Sequence, residues 1–368
     1  MEENRYTIGF SFLRAEDRER VGGKCASLGE LVAAGLPVPA GFAVTVAAFE
    51  DFRDASTLRH ELVDVVTGTR GAGPAELQSA HQRAAELILA GPLPPHIEDA
   101  IRGAYAQLSQ TVAGARGTGG DSGIAVAVRS SAVDEDGDVA SFAGQQETYL
   151  WVVGADEVVA KVRECWASLY TPQAIAYRSS MDAAQGAAAS RIGVAIQAMA
   201  EADVAGVTFT VSPSTGDRSI IAINASYGLG QAVVSGEVTP DEYRVSKADF
   251  RIVSSRIAEK AHEYVPADDH RGVVLREVDA ERRAAAALSD EEVQQVAAIG
   301  LRVEAHYGCP QDIEWALERR QGGEPAVMLL QSRPETSWKM RREEQKSAPV
   351  PGANLLGFLA GAIGEPRK

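Results

Sequence analysis

The stretch Asp312-Ile313-Glu314-Trp315, together with Gln331-Ser332-Arg333 further along, decides how the C-terminal half of this 368-residue chain folds. Side chains alternate along a β-strand, so each stretch would present its polar residues on one face. A polar connection, Arg319 to Glu324, would let the two strands pair. The predicted pairing brings two carboxylates, an amide and a guanidinium together.

These side chains suit a metal ion and a phosphate group. Carboxylate and amide oxygens are ligands for Mg²⁺, and the planar fork of an arginine matches the geometry of a phosphate. A structural ion pair between Glu314 and Arg333 would use the same strand pairing, because such networks are frequent in folded proteins. Taken by themselves, the two stretches leave both interpretations open.

A second candidate lies in Ala127-Val128-Arg129-Ser130-Ser131-Ala132. The apolar residues before Arg129 predict a strand that ends there, and an arginine followed by two hydroxyls suits a polyphosphate. The acidic loop after it, Asp134 to Asp138, is not an EF-hand, because the twelfth position from its start is Gln145. Small residues around Gly144 fit either a flap whose amides cover phosphates or an ordinary turn.

Val21-Gly22-Gly23-Lys24 is the third candidate. Its glycines let the backbone approach a ligand, and its lysine supplies a point charge for phosphate oxygens. It is not a Walker A loop, since that motif has Ser or Thr after the lysine and this chain has Cys25. A turn with an exposed lysine is the alternative. Just beyond it, Ser27 and Glu30 have the spacing of a capping box and predict the start of a short helix.

The rest of the chain predicts a mixed α+β protein. Short apolar or β-branched runs bounded by turn residues predict strands over 124–128, 192–197, 206–211, 220–224 and 326–331. Helical periodicity recurs over 75–90, 95–108, 156–170 and 289–307. The last of these has Ser289 and Glu292 as a capping box and Gly308 just past its end. The Gly-rich stretch from Gly114 to Gly123 predicts a surface loop.

The composition limits the partners that the chain can have. Apolar residues make up 45% and charged residues 24%, which is typical of a folded globular protein. The formal net charge of −15 repels nucleic acid and anionic membranes. The three cysteines are far apart and form no CxxC pair, which argues against a disulfide scaffold and against a zinc site. With a charged N-terminus and no long apolar run, we expect a cytoplasmic protein without nucleic-acid or membrane partners.

Taken in order, seven motifs resemble the ATP-binding (ATP-grasp) domain of the phosphoenolpyruvate synthase and pyruvate phosphate dikinase family, which also includes the rifampicin phosphotransferases. They are Gly-Gly-Lys at 22–24, Arg-Ser-Ser-Ala at 129–132, Ser-Phe-Ala-Gly-Gln at 141–145, Gly-Leu-Gly at 228–230, Pro-Asp-Glu at 240–242, Asp-Ile-Glu-Trp at 312–315 and Gln-Ser-Arg-Pro at 331–334. The resemblance runs from about Ile8 to Trp338.

The resemblance implies an α+β ATP-grasp fold in which two subdomains grip ATP. We expect an N-terminal subdomain over 1–190, a C-terminal subdomain over 191–338 and a tail over 339–368. The implied reaction moves the β-phosphoryl of ATP to a histidine on a swivelling domain and leaves AMP. The γ-phosphate goes to water or to phosphate. Such chemistry depends on positioning and on charge neutralisation by Mg²⁺ and cations.

The resemblance also implies a role for each matching residue. The implied ATP-binding residues are Lys24, Arg129, Gly144, Thr148, Gln197, Glu314, Gln331 and Arg333. Among them Lys24 and Arg129 would hold phosphates, while Gly144 and Thr148 would belong to a flap. Gln197 would lie beside adenine.

Metal binding and catalysis fall to the last two motifs together with those phosphate-holding cations. Glu314 and Gln331 would hold magnesium with help from Asp312. Arg333 would neutralise the transferred phosphoryl, so that it forms the catalytic set with Lys24 and Arg129.

Two departures from the family pattern affect these expectations. Family members commonly have Glu after Gly-Leu-Gly, whereas this chain has Gln231, which removes a charge. None of the six histidines lies in a Thr-Ser-His motif like that of the family's phosphohistidine domain. We therefore expect a partner subunit that carries the phosphohistidine swivelling domain and the acceptor site. The apolar tail segment Leu355 to Ile363 predicts either a docking helix for this partner or a cap on the protein's own core.

The acceptor is a small molecule that the residues do not identify. A separate ATP-grasp subunit resembles that of the aryl-phosphate synthases, phenylphosphate synthase and 4-methylphenyl phosphate synthase, which implies phenol or p-cresol. Pyruvate and an antibiotic hydroxyl are the alternatives with the same ATP half-reaction. A regulatory subunit that senses ATP without transferring phosphate is the alternative from another functional class.

Overall fold

The computed structural model describes residues 3–116, 123–133, 147–180, 191–269, 271–319 and 323–335. The first of its two larger sheets has five strands in the spatial order β1-β2-β5-β3-β4, and all neighbouring strands are antiparallel. Their bounds are β1 Thr7–Gly9, β2 Gly41–Val44, β3 Val126–Ala132, β4 Thr148–Val152 and β5 Ile192–Ala198.

Helices cover both faces of this sheet. In chain order they are α1 Arg18–Val21, α2 Gly23–Ala33, α3 Val46–Asp54, α4 Leu58–Thr67, α5 Pro74–Ala90, α6 Pro95–Arg116, α7 Ala155–Ala167 and α8 Pro172–Ser180. Helices α1 and α2 pack with Ala43 and Ala195 on one face, whereas α3 to α8 enclose the larger core on the other face. The ring of Trp166 stacks on Phe52 with 5.1 Å between centroids. Val126 and Val128 of β3 point into the same core, so Ala127 and Arg129 point to the opposite face of the sheet.

The second large sheet has six antiparallel strands in the order β13-β12-β6-β7-β8-β9. Their bounds are β6 Val204–Phe209, β7 Ile220–Tyr227, β8 Asp241–Ser246, β9 Ile252–Arg256, β12 Gln311–Glu318 and β13 Ala326–Pro334. A two-stranded ribbon, β10 His262–Pro266 and β11 Val273–Glu277, lies beside it. The remaining helices are α9 Gln231–Val234, α10 Ala280–Arg283 and α11 Asp290–Tyr307. Helix α11 buries Val293 and Val296 against the sheet.

Most predicted elements are found, with shifted ends. All five predicted strands are present, and α11 begins at the Ser289–Glu292 capping box and ends at Gly308, whose φ is +68°. The capping box predicted at Ser27 and Glu30 is wrong, because α2 already begins at Gly23 and both residues lie inside it. Arg129 was expected at a strand end, but β3 continues through Ala132. Helix α6 extends to residue 116 and so includes Gly114, which was expected in a loop.

The predicted boundary at residue 190 does not match the sheets. Strand β5, Ile192–Ala198, lies between β2 and β3 in the first sheet, so the chain passes to the second sheet only after Ala198. The acidic loop, Gly144 and the tail 339–368 lie outside the described residues. Among the residues that the structure describes, no helix is long and apolar enough to cross a bilayer.

Candidate nucleotide-binding site

A cavity of about 790 Å³ lies between the two large sheets. Its walls come from β3, β4 and β5 on one side and from β6, β12, β13 and α9 on the other, with the connection 199–202 at its back. Seven of the residues singled out from the sequence line it: Lys24, Arg129, Thr148, Gln197, Glu314, Gln331 and Arg333. The fold thus brings together side chains that are up to about three hundred positions apart in the chain.

The Gly-Gly-Lys motif is held against β3. Gly22 has φ +81°, and a Cβ at this position would lie 1.9 Å from the carbonyl oxygen of Ser131, so only glycine fits. Lys24 is buried and donates from Nζ to the carbonyl oxygen of Ser130 at 2.6 Å. The Ser131 hydroxyl accepts from the Cys25 amide at 3.1 Å. The expectation that this hydroxyl serves a polyphosphate is therefore wrong, since Ser131 is fully buried and holds the start of α2.

Arg129 connects the two sheets across the cavity. From β3 its guanidinium donates Nη1 to the carbonyl oxygen of Leu330 at 2.9 Å. Its Nη2 contacts Glu314 Oε2 at 3.0 Å and Gln331 Oε1 at 2.6 Å. One nitrogen therefore touches both residues that were expected to hold magnesium, so their oxygens point to a common position. Arg129 is only 8% exposed, which strengthens these charge-assisted contacts relative to a surface pair.

A β-bulge at Leu330 places Gln331 and Arg333 on the cavity wall. Glu314 pairs with Gln331, but its neighbour Trp315 pairs with Leu329, so Leu330 is an extra residue in β13. In a regular strand Gln331 would face the same side as Leu329, which is buried in the core. The extra residue switches the face and also turns the Leu330 carbonyl toward Arg129. The sequence pattern alone did not reveal this bulge.

Asp312 and Arg333 form an ion pair at the edge of the site. Arg333 Nη2 lies 2.8 Å from Asp312 Oδ2, and the two residues are paired across β12 and β13. Burial raises the pKa of Asp312, and the opposing effect of Arg333 does not cancel it. Asp312 is not part of the cavity wall, whereas Arg333 is half exposed and reaches it. Its contact with Asp312 orients the guanidinium.

The other end of the cavity is mostly apolar. Ala127, Met199 and Leu229 form a small cluster there. Gln197 is 2% exposed and lines this end, and its Nε2 has no hydrogen-bond partner within the described part of the chain. This combination of apolar side chains and the unpartnered Gln197 amide of the described segments suits a heteroaromatic base. Thr148 is exposed at the rim, in line with a covering strand.

Three other residues were missed or misjudged from the sequence. Trp315 lines the cavity and donates its indole N–H to Thr208 Oγ1 at 2.8 Å, which locks the residue next to Glu314. Gln231 begins α9 and lies on the cavity wall, at the position where the resemblance led us to expect a glutamate.

Asp241, from the Pro-Asp-Glu motif, lies away from the cavity. It is fully buried and contacts Lys260 Nζ at 2.6 Å. It also accepts the amides of Ala258 and Ala287. This carboxylate therefore anchors two connections of the second sheet and does not reach the nucleotide-binding cavity.

The residues present fit a magnesium–nucleotide complex. Mg²⁺ commonly binds one or two carboxylates together with substrate phosphates, and Glu314 and Gln331 offer such a partial ligand set. In the described segments no group of three or more His, Cys, Asp and Glu side chains could hold a metal alone, so phosphate oxygens would complete the shell. The buried Nε of Arg129 and Nε2 of Gln197, both without partners in those segments, would gain acceptors from a nucleotide.

Comparison with known proteins agrees with this geometry. Residues 18–352 match the family model described as "Pyruvate phosphate dikinase, AMP/ATP-binding domain". A probable phosphoenolpyruvate synthase of Pyrococcus abyssi is 39% identical over 98% of this chain and 47% of its own length. A probable phosphoenolpyruvate synthase of Staphylothermus marinus is 36% identical over 96% of this chain and 44% of its own length. The phosphoenolpyruvate synthase of Aquifex aeolicus is 37% identical over 89% of this chain and 39% of its own length. The chain spans less than half the length of these relatives.

The family match covers every strand of both sheets except β1 and includes the seven sequence-predicted residues on the cavity wall. The α+β architecture, with a nucleotide-sized cavity between two sheets, is that of an ATP-grasp-type domain. The chain therefore belongs to the family of AMP/ATP-binding domains of pyruvate phosphate dikinase and phosphoenolpyruvate synthase.

Proposed function

We propose that the chain is the ATP-binding component of a dikinase-type phosphotransferase. It binds Mg²⁺ and ATP in the cavity between the sheets and transfers the β-phosphoryl to a histidine of a partner subunit, with AMP and orthophosphate as products. Membership of the family supports ATP binding, and the names of the relatives support phosphotransfer. None of the histidines in the described segments lines the cavity, so the proposal takes the acceptor histidine from the partner.

One observation carries the proposal: Arg129 meets Glu314 and Gln331 across the cavity. A loose phosphoryl-transfer transition state needs cations placed around the phosphates and oxygen ligands that position a metal. Arg129 and Lys24 come from the first sheet and its helix, while Glu314 and Gln331 come from the second. Both halves of the fold are therefore needed to build the phosphate end of the site.

The remaining roles follow from position. Asp312 orients Arg333, and the Arg333 side chain is exposed enough to reach a phosphoryl group during its transfer. We therefore assign to Arg333 the neutralisation of charge on that group in the transition state. Gln197 would donate to the base at the apolar end. When bound, Mg²⁺ supplies charge neutralisation at the phosphates, and Glu314 and Gln331 are the residues that would hold it.

Labelled ATP tests the proposal directly. The full chain is mixed with ATP labelled at the β-phosphorus and with a protein that carries a phosphohistidine domain, and the products are separated. We expect labelled histidine, AMP and orthophosphate only when both proteins are present. Rapid formation of ADP by the chain alone would contradict the proposal. Arg333→Ala should abolish labelling of the partner while it spares much of the ATP affinity, and retained transfer would refute the role of Arg333.

The acceptor is a separate question. A phosphohistidine domain on a separate subunit, as in the aryl-phosphate synthases, would favour a phenolic acceptor such as phenol or p-cresol. The curated relatives are named phosphoenolpyruvate synthases, which equally favours pyruvate. An antibiotic hydroxyl is a third choice. Offering these acceptors in turn to the reconstituted, phosphorylated complex would separate them, because only the true acceptor should remove the label from histidine.

A regulatory subunit that only senses ATP is the alternative without catalysis. The presence of Lys24, Arg129, Glu314 and Arg333 on one cavity counts against it, because a sensor needs affinity but not a transition-state clamp. ATP binding without any labelled partner histidine, across several candidate partners, would favour the sensor.

A further inference from the structure

Trp151 has a backbone conformation that bulky residues rarely adopt. Its φ is +58°, and in the described segments it shares a positive φ with only one other non-glycine residue, Phe250. An aromatic residue keeps such a conformation only where the surrounding structure enforces it. At Trp151 the local cause is a β-bulge, because Leu150 and Trp151 of β4 lie opposite the single residue Ala127 of β3.

The strained bulge receives a hydrogen bond from the β10–β11 ribbon. The Gly272 amide, just before β11, donates to the carbonyl oxygen of Trp151 at 3.0 Å. Gly272 has φ +76°, and its own carbonyl accepts from the Ala267 amide at 3.1 Å. We call the contact between Trp151 and Gly272 the ribbon joint. It connects an edge strand of the first sheet with a ribbon that lies beside the second sheet.

The other strand of the ribbon holds the Gly-Leu-Gly segment at 228–230. The Leu229 amide donates to the carbonyl oxygen of Tyr264 at 3.0 Å. Gly228 has φ +72°, and a Cβ there would lie 2.4 Å from the same carbonyl oxygen, so only glycine fits. The first glycine of this motif therefore serves the contact with the ribbon. Its neighbours Leu229 and Gly230 line the nucleotide cavity.

An apolar cluster joins these parts at the base end of the nucleotide cavity. Four partly buried residues pack against its buried members, two from the bulge and two from the ribbon: Leu150, Trp151, Tyr264 and Val273. Leu150 lines the cavity, whereas Trp151 and Gly272 are not part of the described wall. The joint can therefore act on a bound nucleotide only through the residues that it positions.

We propose that the ribbon joint positions the base end of the nucleotide cavity, with Trp151 and Gly272 as positioning residues. The ribbon holds Leu229 on one wall, and the joint ties the ribbon to the bulge that carries Leu150 on the other. The two walls keep their separation only while the joint is closed. This inference rests on the proposed function in one respect, that the ligand of the cavity is a nucleotide.

The position of the joint makes its effect selective. Lys24, Arg129 and Glu314 line the phosphate end of the cavity, away from the apolar cluster. Opening the joint should therefore weaken ligands that contain the base and spare ligands that consist of phosphates alone. The coupling is reciprocal, because a nucleotide that binds the closed joint more tightly must stabilise the joint by the same factor.

Calorimetry of the full chain with ATP, AMP and inorganic tripolyphosphate, each with Mg²⁺, tests the proposal. Trp151→Ala removes the ring that packs on the cluster, and Gly272→Ala places a Cβ at positive φ without a clash. Each should weaken ATP and AMP by about fivefold or more, as for a typical coupling between sites, and leave tripolyphosphate within about twofold. The matched controls Phe250→Ala and Gly71→Ala make the same changes at φ +54° and +76° outside the cavity. They should leave all three affinities within about twofold.

Hydrogen–deuterium exchange of the wild type gives a second readout that needs no variant to fold. ATP should slow exchange in peptides that contain the Gly272 amide by about fivefold or more, and tripolyphosphate should not. Three results would each overturn the proposal: equal ATP affinities in the joint variants and the controls, an equal loss for tripolyphosphate, or exchange at Gly272 that ATP leaves unchanged. A failure of the proposed function would look different, because ATP and AMP would respond to the joint as expected while no partner histidine became labelled.

Discussion

Replacing Arg129 by methionine removes a side chain that bonds both walls of the nucleotide cavity. Its guanidinium makes three hydrogen bonds, at 2.9 Å to Leu330, 3.0 Å to Glu314 and 2.6 Å to Gln331. A hydrogen bond to a charged group contributes about 1.5–3 kcal/mol, and loss of a buried partner costs about 3–5 kcal/mol. Glu314 is 25% exposed and can recover some hydration. We therefore expect Arg129→Met to lower the free energy of unfolding by about 2–4 kcal/mol in urea titrations.

The same substitution should move two affinities in opposite directions. In the wild type the Arg129 guanidinium competes with Mg²⁺ for the oxygens of Glu314 and Gln331. Without Arg129 this competition is gone, so Mg²⁺ alone should bind more tightly. At about 1.4 kcal/mol per tenfold, release from one charge-assisted contact corresponds to about a tenfold to hundredfold gain. The affinity for Mg²⁺ with ATP should fall instead, because a phosphate ligand is lost. Isothermal titration with Mg²⁺ alone and then with the nucleotide measures both values.

Two results would refute this reasoning. If Mg²⁺ alone binds Arg129→Met and the wild type equally, Arg129 does not compete with the metal. If the losses of unfolding free energy in Arg129→Met and in Glu314→Gln sum to the loss in the double variant within about 0.5 kcal/mol, the two residues are not coupled. Arg129→Lys is the control for charge, because it keeps the cation but loses the fork that reaches three acceptors.

Three further predictions concern other parts of the site. Gly22→Ala should lower the melting temperature far more than Gly35→Ala, because both have positive φ but only the first would clash with backbone; equal effects would contradict the steric argument. Hydrogen bonds from Arg319 lower the pKa of Glu292 against the opposing effect of burial, so stability from this pair is present above the ordinary carboxyl pKa and is lost as pH falls through the lowered value. Glu292→Gln should therefore flatten the acid side of the stability profile, and an unchanged profile would exclude the pair. Gln197→Met should weaken ATP binding in calorimetry with little change in melting temperature, and a large thermal loss would instead make it structural.

Sequence signals that span a few residues were enough to predict the helix and the strand pairing in which they lie. Helix α11 was predicted from Ser289, Glu292 and Gly308, and the structure has it between these caps. The pairing of β12 with β13 followed from alternation and from a polar connection of suitable length. These predictions succeeded because capping and alternation act over a few residues and need no knowledge of the rest of the fold.

Other features depend on contacts that a local pattern does not contain. Ser27 and Glu30 have capping-box spacing, but the close fit of Gly22 on Ser131 moves the start of the helix upstream. Ser27 then bonds the carbonyl of Ser332 in the other sheet at 2.8 Å. The sequence of β5 has the same short apolar pattern as the strands that follow it in the chain. Only its position between β2 and β3 in the structure assigns it to the first sheet. The site residues were named from motif order, whereas their mutual contacts required the fold.

The extra residue at Leu330 makes the register of β13 a functional constraint. If β13 were regular over the same residues, Gln331 and Arg333 would turn inward, and two polar groups would lie among aliphatic side chains. Deleting Leu330 would leave both residues on the cavity wall, because Gln331 would then directly follow Leu329, but it would remove the Leu330 carbonyl that accepts from Arg129 Nη1. The bulge thus ties a local irregularity of one strand to the contact that joins the two sheets.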